Sequence, residues 1–414
     1  MLKKLTIRNF KAIQDMTIEF TPMTVLIGEN GCGKSTILQA IDFLRSAASR
    51  DIPEYIKEKE WKFSELKSLL NNGNEKPLEF ISTWNFPAKD SNEIITLEWT
   101  ILIDFDKGYI IKEKIIKYPE EKIILSYHNN GQADIPAPLG QLNIQSSALK
   151  YVAGTSINTV EIDKLFSFLS DTTNFEVLSP DKIRSGSKLP YTWNIGAGGE
   201  SLAYCIDKMN DAEKQKLNKI VSDILGSCVD IQTVDRGNKV DLSLIFKPDN
   251  NQITVGSLHI SDGILRIIAF AAISMEKAVY LFAVGDGKFL TADSETHKIN
   301  NTDILKDGIV LLDEIENGIN PYKTETIIGL LRDIAEKHER QVIITTHSPV
   351  MLNEFQQNEI VFLWKDKNNS VRSRKFFDTE EMRKPLDFLN PGEIWENYGR
   401  DAILIKLGIP SMEQ

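Results

Sequence analysis

The octet Gly28-Glu-Asn-Gly-Cys-Gly-Lys-Ser35 constrains this chain more than any other feature, because it satisfies the pattern G-x-x-x-x-G-K-[ST]. That pattern has meaning only between a strand and a helix, and its flanks supply both. Met23 to Ile27 is an apolar run ending in glycine and reads as a buried strand. From Gly33 to about Ala48, Ile37, Leu38, Ile41 and Leu44 recur at helical spacing. In such a turn the glycines let backbone N–H groups face phosphate oxygens, and the helix adds the positive end of its dipole. Asn30, Gly31, Cys32 and Gly33 are thereby assigned to phosphate, with Thr36 beside Ser35 in the same set. Lys34 supplies a point charge to the terminal phosphates and Ser35 a hydroxyl to magnesium. Cys32 is either open to oxidation or an inert filler of the loop, and the second is the plainer reading.

Two later runs give such a loop something to work with. Ile309-Val-Leu-Leu-Asp313-Glu314 is an apolar strand ending in two carboxylates, and parallel strands deliver their carboxyl ends to the crevice where ligands sit. Asp313 is then placed to hold magnesium, directly or through water. Glu314 is placed to orient or deprotonate the water that attacks the γ-phosphate. On their own, acids after a buried strand often do no more than favour the next helix's N-terminus. Gln341-Val-Ile-Ile-Thr-Thr-His347-Ser-Pro349 is a further buried strand, ending in a histidine at the same inferred edge, and His347 is a candidate γ-phosphate sensor. His128, His259, His297 and His338 have no such setting. Ile260-Ser261-Asp262-Gly263-Ile-Leu-Arg266 opens a strongly apolar helix that Ser261 or Asp262 can cap, and spacing alone favours a plain cap over an anion site. Gly196-Ala-Gly-Gly199-Glu-Ser201 lacks a following lysine and reads as loop and cap.

The rest of the chain organises around these runs. Its 414 residues allow two or three domains. Two alternating strands precede the glycine loop, and runs at Ile94 to Phe105, Tyr109 to Ile116 and Ile123 to His128 read as an antiparallel meander. Helical periodicity in Val160 to Leu169, Ser201 to Met209 and Ala212 to Leu225 suggests a separate lobe. Strands near Val229 to Val234 and Val240 to Phe246 lead into helix Gly263 to Ala278, strand Ile309 to Leu312, helix Pro321 to Lys337 and strand Gln341 to Thr345, an alternation that predicts a parallel α/β sheet. The polar stretch Asp286 to Asp307 reads as an exposed insertion. Expected boundaries are 1–147 and 228–414 for the two parts of one head, and 148–227 for the helical lobe.

Composition narrows the partners. Lysine plus arginine is 48 against 59 aspartate plus glutamate, a net charge of −11, so any DNA contact must be local. The most basic stretch, Lys365 to Lys384, is interrupted by Asp366, Asp378, Glu380 and Glu381 and reads as a solvated surface. Ile267 to Val284 is apolar enough to suggest a membrane span, but Glu276 and Lys277 sit within it, so no membrane is expected. No secretory leader is evident at Met1 to Arg8, and Cys32, Cys205 and Cys228 are too scattered for a disulfide framework, so a reducing cytoplasm is expected.

Together, Leu5-Thr-Ile-Arg-Asn-Phe-Lys-Ala-Ile13, Gly28 to Thr36, Ser261 to Arg266, Leu312-Asp-Glu-Ile-Glu-Asn-Gly-Ile-Asn-Pro321 and Thr345 to Pro349 resemble the ABC-type ATPase heads of the SMC and RecF group. The nearest likeness is to short-inserted members similar to overcoming-lysogenization-defect (OLD) ATPases. The resemblance implies an α/β P-loop NTPase with a mixed sheet, an antiparallel β subdomain and an inserted helical lobe. It implies ATP and Mg²⁺ as cofactors and a homodimer closed around two ATP molecules. By it, Ser261, Asp262 and Gly263 form the signature that meets the nucleotide held by the opposite protomer, Arg266 supports them, and Glu316 to Pro321 joins the two sites.

Two departures stand out. The family's glutamine loop has only Gln141 and Gln145 as candidates. The 65 residues after Pro349 (414 minus 349) are fewer than the Toprim domain of OLD nucleases and hold no D-x-D pair, so intrinsic nuclease activity is not expected. The resemblance therefore points to an ATPase acting on a separate effector, a nuclease or toxin, in bacterial anti-phage defence. The alternatives are a nucleotide-gated scaffold or sensor with little turnover and a RecF-like DNA repair ATPase. A transporter subunit is disfavoured by the long stretch from Thr36 to Ile260.

Overall fold

The computed structural model describes residues 1–68, 70, 76–87, 93–104, 106–129, 144–153, 159–170, 173–175, 178–189, 195–196, 198–247, 252–275, 283–284, 288–289, 308–337 and 340–410. In chain order the elements are β1 (Leu2–Phe10), β2 (Ile13–Glu19), β3 (Met23–Gly28), α1 (Lys34–Ser49), α2 (Ile52–Glu58), α3 (Phe63–Leu66), β4 (Leu78–Pro87), β5 (Ile94–Ile103), β6 (Ile110–Tyr118), β7 (Lys122–His128), α4 (Ala148–Val152), α5 (Val160–Ser170) and β8 (Thr173–Phe175). There follow α6 (Pro180–Arg184), β9 (Ser187–Lys188), α7 (Leu202–Asp207), α8 (Asp211–Leu225), β10 (Val229–Asp235), β11 (Lys239–Phe246), β12 (Ile253–Gly256) and α9 (Asp262–Ile273). The last are β13 (Ala283–Val284), β14 (Lys288–Phe289), β15 (Ile309–Leu312), α10 (Thr324–Lys337), β16 (Gln341–Thr345), α11 (Pro349–Leu352), β17 (Ile360–Lys365), β18 (Val371–Lys375), α12 (Glu380–Arg383), α13 (Pro391–Asn397) and α14 (Arg400–Lys406). They fall into two compact units, one of Met1–Asn174, Asp307–Leu311 and Glu339–Gln414, the other of Phe175–Lys306 and Leu312–His338.

The first unit holds two sheets. In β2, Met16 and Ile18 are buried while Asp15, Thr17 and Glu19 are exposed, the period of a strand with one face on a core. The antiparallel sheet runs β2-β1-β4-β5-β6-β7, so the expected meander is present and gains β4, which ties it to the N-terminal strand pair. The second sheet has the order β18-β17-β3-β16-β15-β8. Both neighbours of β3 are parallel to it, with Val342 opposite Met23 on one side and Leu363 opposite Gly28 on the other. The sequence reading ended this sheet at Thr345 and missed β17. Ile360-Val-Phe-Leu-Trp364 is a short continuous apolar run of the kind that a doubly flanked strand requires.

Helix α1 buries Ile37, Leu38, Ile41 and Leu44 in the core, where the rings of Phe10, Phe43 and Phe80 meet at centroid distances of 5.5 to 5.7 Å. Each such side chain contributes about 1.5–3 kcal/mol by leaving water. Helices α4 and α5 pack on α1, and Phe168 of α5 stands edge-on to Trp84 and Phe86 at 5.6 and 5.8 Å. The division into units therefore differs from the expected lobe at 148–227. The apolar face of α5, Ile162, Leu165, Phe168 and Leu169, is covered by the first unit's core, and the unit boundary falls after Asn174.

The second unit gathers α6 to α10 with the antiparallel strands β10-β11-β12 and β9, which pairs with β11. Every residue of α9 from Leu265 to Ile273 is buried, as expected of a helix apolar on nearly all sides. The helix stops at Ile273 rather than Ala278, and 276–278 lie outside the described residues. So does the expected insertion at 286–307, except for Lys288–Phe289, which pairs with Ala283–Val284. Among the described residues no helix is long and apolar enough to cross a membrane.

Candidate nucleotide site

In the first unit, β3 hands directly into the glycine loop and then α1. Gly33 has φ 97°, and a Cβ there would lie 2.9 Å from Val371 Cγ2, so glycine is set both by the backbone and by the neighbouring strand. Lys34 is 6% exposed, and its ammonium turns back into the loop to donate to the carbonyls of Gly28 at 2.9 Å and Glu29 at 3.0 Å. No side chain caps the N-terminus of α1, and no acid lies in its first turn. A buried cation beside an uncapped helix start is a ready anion site. Ser35 and Thr36 occupy the first turn, half-buried, while Asn30 and Gly31 are exposed on the loop. Cys32 is buried with its Sγ 3.9 Å from the Lys34 ammonium. Burial pushes this thiol above its ordinary pKa although Lys34 pulls it down, which favours the inert-filler reading.

His347 belongs to the same unit. The Thr346 N–H donates to the Leu26 carbonyl at 3.3 Å, so β16 ends beside the end of β3, and His347 emerges half-buried at the edge from which the glycine loop leaves. Gln141 lies outside the described residues. Gln145 is exposed, and its carbonyl accepts from the Ile52 N–H at 2.8 Å.

The second unit brings the run at 261–266 against the loop after β15. Ser261 stands at the N-cap of α9 but its side chain makes no capping hydrogen bond. Asp262 turns its carboxylate to Arg184 of α6, whose Nη2 also donates to the Ile260 carbonyl at 3.1 Å. The expected side-chain cap is therefore absent: the Asp262 carboxylate is held in an ion pair, and Ser261 is exposed. A Cβ on Gly263 would lie 2.5 Å from the Gly318 carbonyl oxygen. Arg266 is 9% exposed and donates through Nη1 to the Asn317 carbonyl, while its Nε has no hydrogen-bond partner. Burial lowers its pKa, and Asp262 and Glu314 pull the other way.

Asp313, half-buried, follows directly on β15. Glu314 has φ 48°, the left-handed region that a non-glycine residue seldom adopts, and its carboxylate accepts from Asn317 Nδ2 at 2.8 Å. The acid is thus fixed by its own loop. The candidate residues divide accordingly: Asn30 to Thr36 and His347 lie in one unit, and Ser261, Asp262, Gly263, Arg266, Asp313 and Glu314 in the other. Sequence reasoning missed Arg184 and the part played by Asn317. The first lies in an aperiodic stretch 78 residues from its partner, and nothing local marks it.

Comparison with known proteins identifies the family and the fold. The chain is similar over residues 23–353 to a family described as "AAA domain, putative AbiEii toxin, Type IV TA system". It is 46% identical over 44 residues to the OLD nuclease of Thermus scotoductus, covering 11% of this chain and 8% of that protein. It is 51% identical over 47 residues to Septu protein PtuA of Bacillus mycoides, covering 10% and 7%. Both relatives are therefore matched over less than a tenth of their own length. The SMC head solved with the C-terminal winged-helix domain of ScpA shares the fold, at 16% identity and a TM-score of 0.50 over 90% of this chain and 96% of that one. The family match spans well over half of the sequence, so the chain belongs to this AAA-domain family, and it has the fold of an SMC head.

Proposed function

We propose that this chain binds and hydrolyses ATP, closes as a homodimer around two nucleotides, and uses that closure to control a separate effector. The observation that carries the reading is the Lys34 ammonium, buried in the glycine loop against two main-chain carbonyls at the start of an uncapped helix. A nucleotide's phosphates offer that cation better acceptors than the carbonyls, while the loop's N–H groups serve the remaining oxygens. Ser35 and Asp313 are hard oxygen donors of the kind magnesium takes, and they would hold it; when bound, it neutralises charge on the phosphates. Glu314, held by Asn317, is assigned to orient and deprotonate the attacking water. His347 is assigned to sense the γ-phosphate. Ser261, Asp262 and Gly263 are assigned to the nucleotide of the opposite protomer, with their hydroxyl and first-turn N–H groups as the anion donors.

The effector is proposed to be a nuclease or toxin supplied in trans. Support comes from the resemblance to OLD-like ATPases and from the short likeness to Septu protein PtuA. Any DNA contact is proposed to be local. Around the basic stretch Arg372 pairs with Asp366 at 2.9 Å and Arg374 with Asp378 at 2.6 Å, which leaves little unopposed charge for phosphate.

The test separates binding from turnover. Lys34→Ala is expected to lose ATP binding in calorimetry. Glu314→Gln is expected to keep binding, to lose hydrolysis by a factor of about 10² to 10⁴, and to accumulate an ATP-bound dimer in light scattering. Hydrolysis at the wild-type rate by Glu314→Gln would remove the assignment of the base.

A further inference from the structure

Arg184, the last residue of α6, reaches the run at 261–266 from a distant part of the second unit. Its Nη2 donates to the Ile260 carbonyl at 3.1 Å and pairs with the Asp262 carboxylate, while its Nη1 pairs with Asp181, one turn back on α6, at 3.0 Å. The main chain is tied to the same place, since the Ser257 hydroxyl donates to the Arg184 carbonyl at 2.9 Å. The guanidinium is thus held from two sides beside the start of α9.

Folding stability does not account for this arrangement. The side chains of Asp262 and Asp181 are 60% and 93% exposed, and ion pairs so open to water add little to folding. The charge matters more for an incoming anion. Ser261 is exposed with its hydroxyl in no capping bond, and it stands at the positive end of a twelve-residue helix. These donors favour phosphate, whereas a bare carboxylate at the next residue would repel it and compete for the same helix end. Arg184 cancels that carboxylate. Arg266, whose charge also acts on Asp262, spends its Nη1 on the Asn317 carbonyl, and Asp181 stands in water, where salt screens it.

We propose that Arg184 is a positioning residue for the opposite protomer's nucleotide: it neutralises Asp262, so that Ser261 and the first-turn N–H groups of α9 can receive a γ-phosphate. The proposal rests on the assignment of 261–263 to that nucleotide, and the experiment separates the two. ATP hydrolysis by the full-length chain with Mg²⁺ is measured from about 0.05 to about 0.5 M salt for the wild type, Arg184→Gln, Arg184→Lys, Asp262→Asn, the double variant Arg184→Gln/Asp262→Asn, and Ser261→Arg. Glutamine keeps a donor for the Ile260 carbonyl and loses the charge, and lysine keeps the charge. Arg184→Gln is expected to lose about tenfold relative to the wild type at low salt and about threefold at high salt, while Arg184→Lys keeps about half of the rate. In the Asp262→Asn background the same Arg184→Gln change is expected to cost less than about twofold. A merely structural brace between α6 and α9 would give a loss that is equal in both backgrounds and indifferent to salt, and either result overturns the proposal, as does Arg184→Gln at the wild-type rate. An Asp262→Asn chain too inactive to measure also overturns it, because the carboxylate would then do more than await neutralisation. Should Arg184→Gln fail to fold, an Arg184→Lys rate below about a tenth of the wild type overturns it instead. Ser261→Arg tests the underlying assignment. Hydrolysis there at the wild-type rate removes the phosphate site at 261–263 and the role of Arg184 with it, whereas an inactive Ser261→Arg beside any of the overturning results removes the role of Arg184 alone.

Discussion

Glu113 is fully buried, and its carboxylate accepts from Trp99 Nε1 at 2.9 Å, from the Ala148 N–H at 2.7 Å and from the Ser147 hydroxyl at 2.5 Å. These donors hold α4 to β6. Burial outweighs them and pushes the carboxyl from 4.5 up to about 7. The folded chain therefore holds this proton more tightly than the unfolded chain. The cost of burying the charge is full above pH 7, and it is recovered as pH falls from about 7 toward 4.5. The shift corresponds to about 3 kcal/mol. Measured against Glu113→Gln, wild-type stability should improve by up to that amount between pH 8 and pH 4.5. A difference between the two proteins that does not vary over this range would contradict the inference. Glu314 shows a second residue-scale constraint, a positive φ with its carboxylate held by Asn317, and in the proposed hydrolysis this would position the assigned base.

At the scale of elements, the start of α9 and the loop after β15 approach so closely that only glycine fits at 263. Alanine is worth about 1 kcal/mol more than glycine inside a helix. At Gly263 the added carbon would meet a main-chain oxygen at 2.5 Å, and overpacking of that kind costs about 1–3 kcal/mol. Sterics should win. Gly329 of α10 is the contrast, exposed, with nothing within 4 Å of an added Cβ. Thermal melts should therefore show Gly263→Ala lowered and Gly329→Ala raised, and a Gly263→Ala melt that is not lowered would show that the approach of Gly318 is not fixed. Beside this approach, Asp262, the residue after the N-cap Ser261, is held by Arg184 of α6.

For the whole molecule, the boldest expectation is that the active site is shared between two copies. A bulky cation at Ser261 should obstruct the opposite protomer's γ-phosphate while leaving its own glycine loop intact. Ser261→Arg alone should bind ATP without hydrolysing it, and Lys34→Ala should do neither. In a mixed dimer one site joins an intact glycine loop to an intact signature, so mixing the two inactive proteins should restore part of the wild-type ATPase rate. If mass measurement shows mixed dimers and the rate stays at background, either Ser261 does not act in trans or both sites must fire together. Whether Lys34→Ala poisons the wild-type protein distinguishes these.

The sequence by itself determined the glycine loop and its helix, the strand that leads into Asp313 and Glu314, the strand that leads toward His347, and the antiparallel meander. Each is written in one contiguous run, where periodicity and main-chain hydrogen bonding act between near neighbours. Only the tertiary structure decided that β17 flanks β3, that α5 joins the first unit, that Val371 closes on Gly33, and that Arg184 takes the Asp262 carboxylate. These depend on which apolar faces cover one another and on pairings between distant segments. A run of residues states that it has a face to bury, and the partner is chosen by the packing of the rest of the chain.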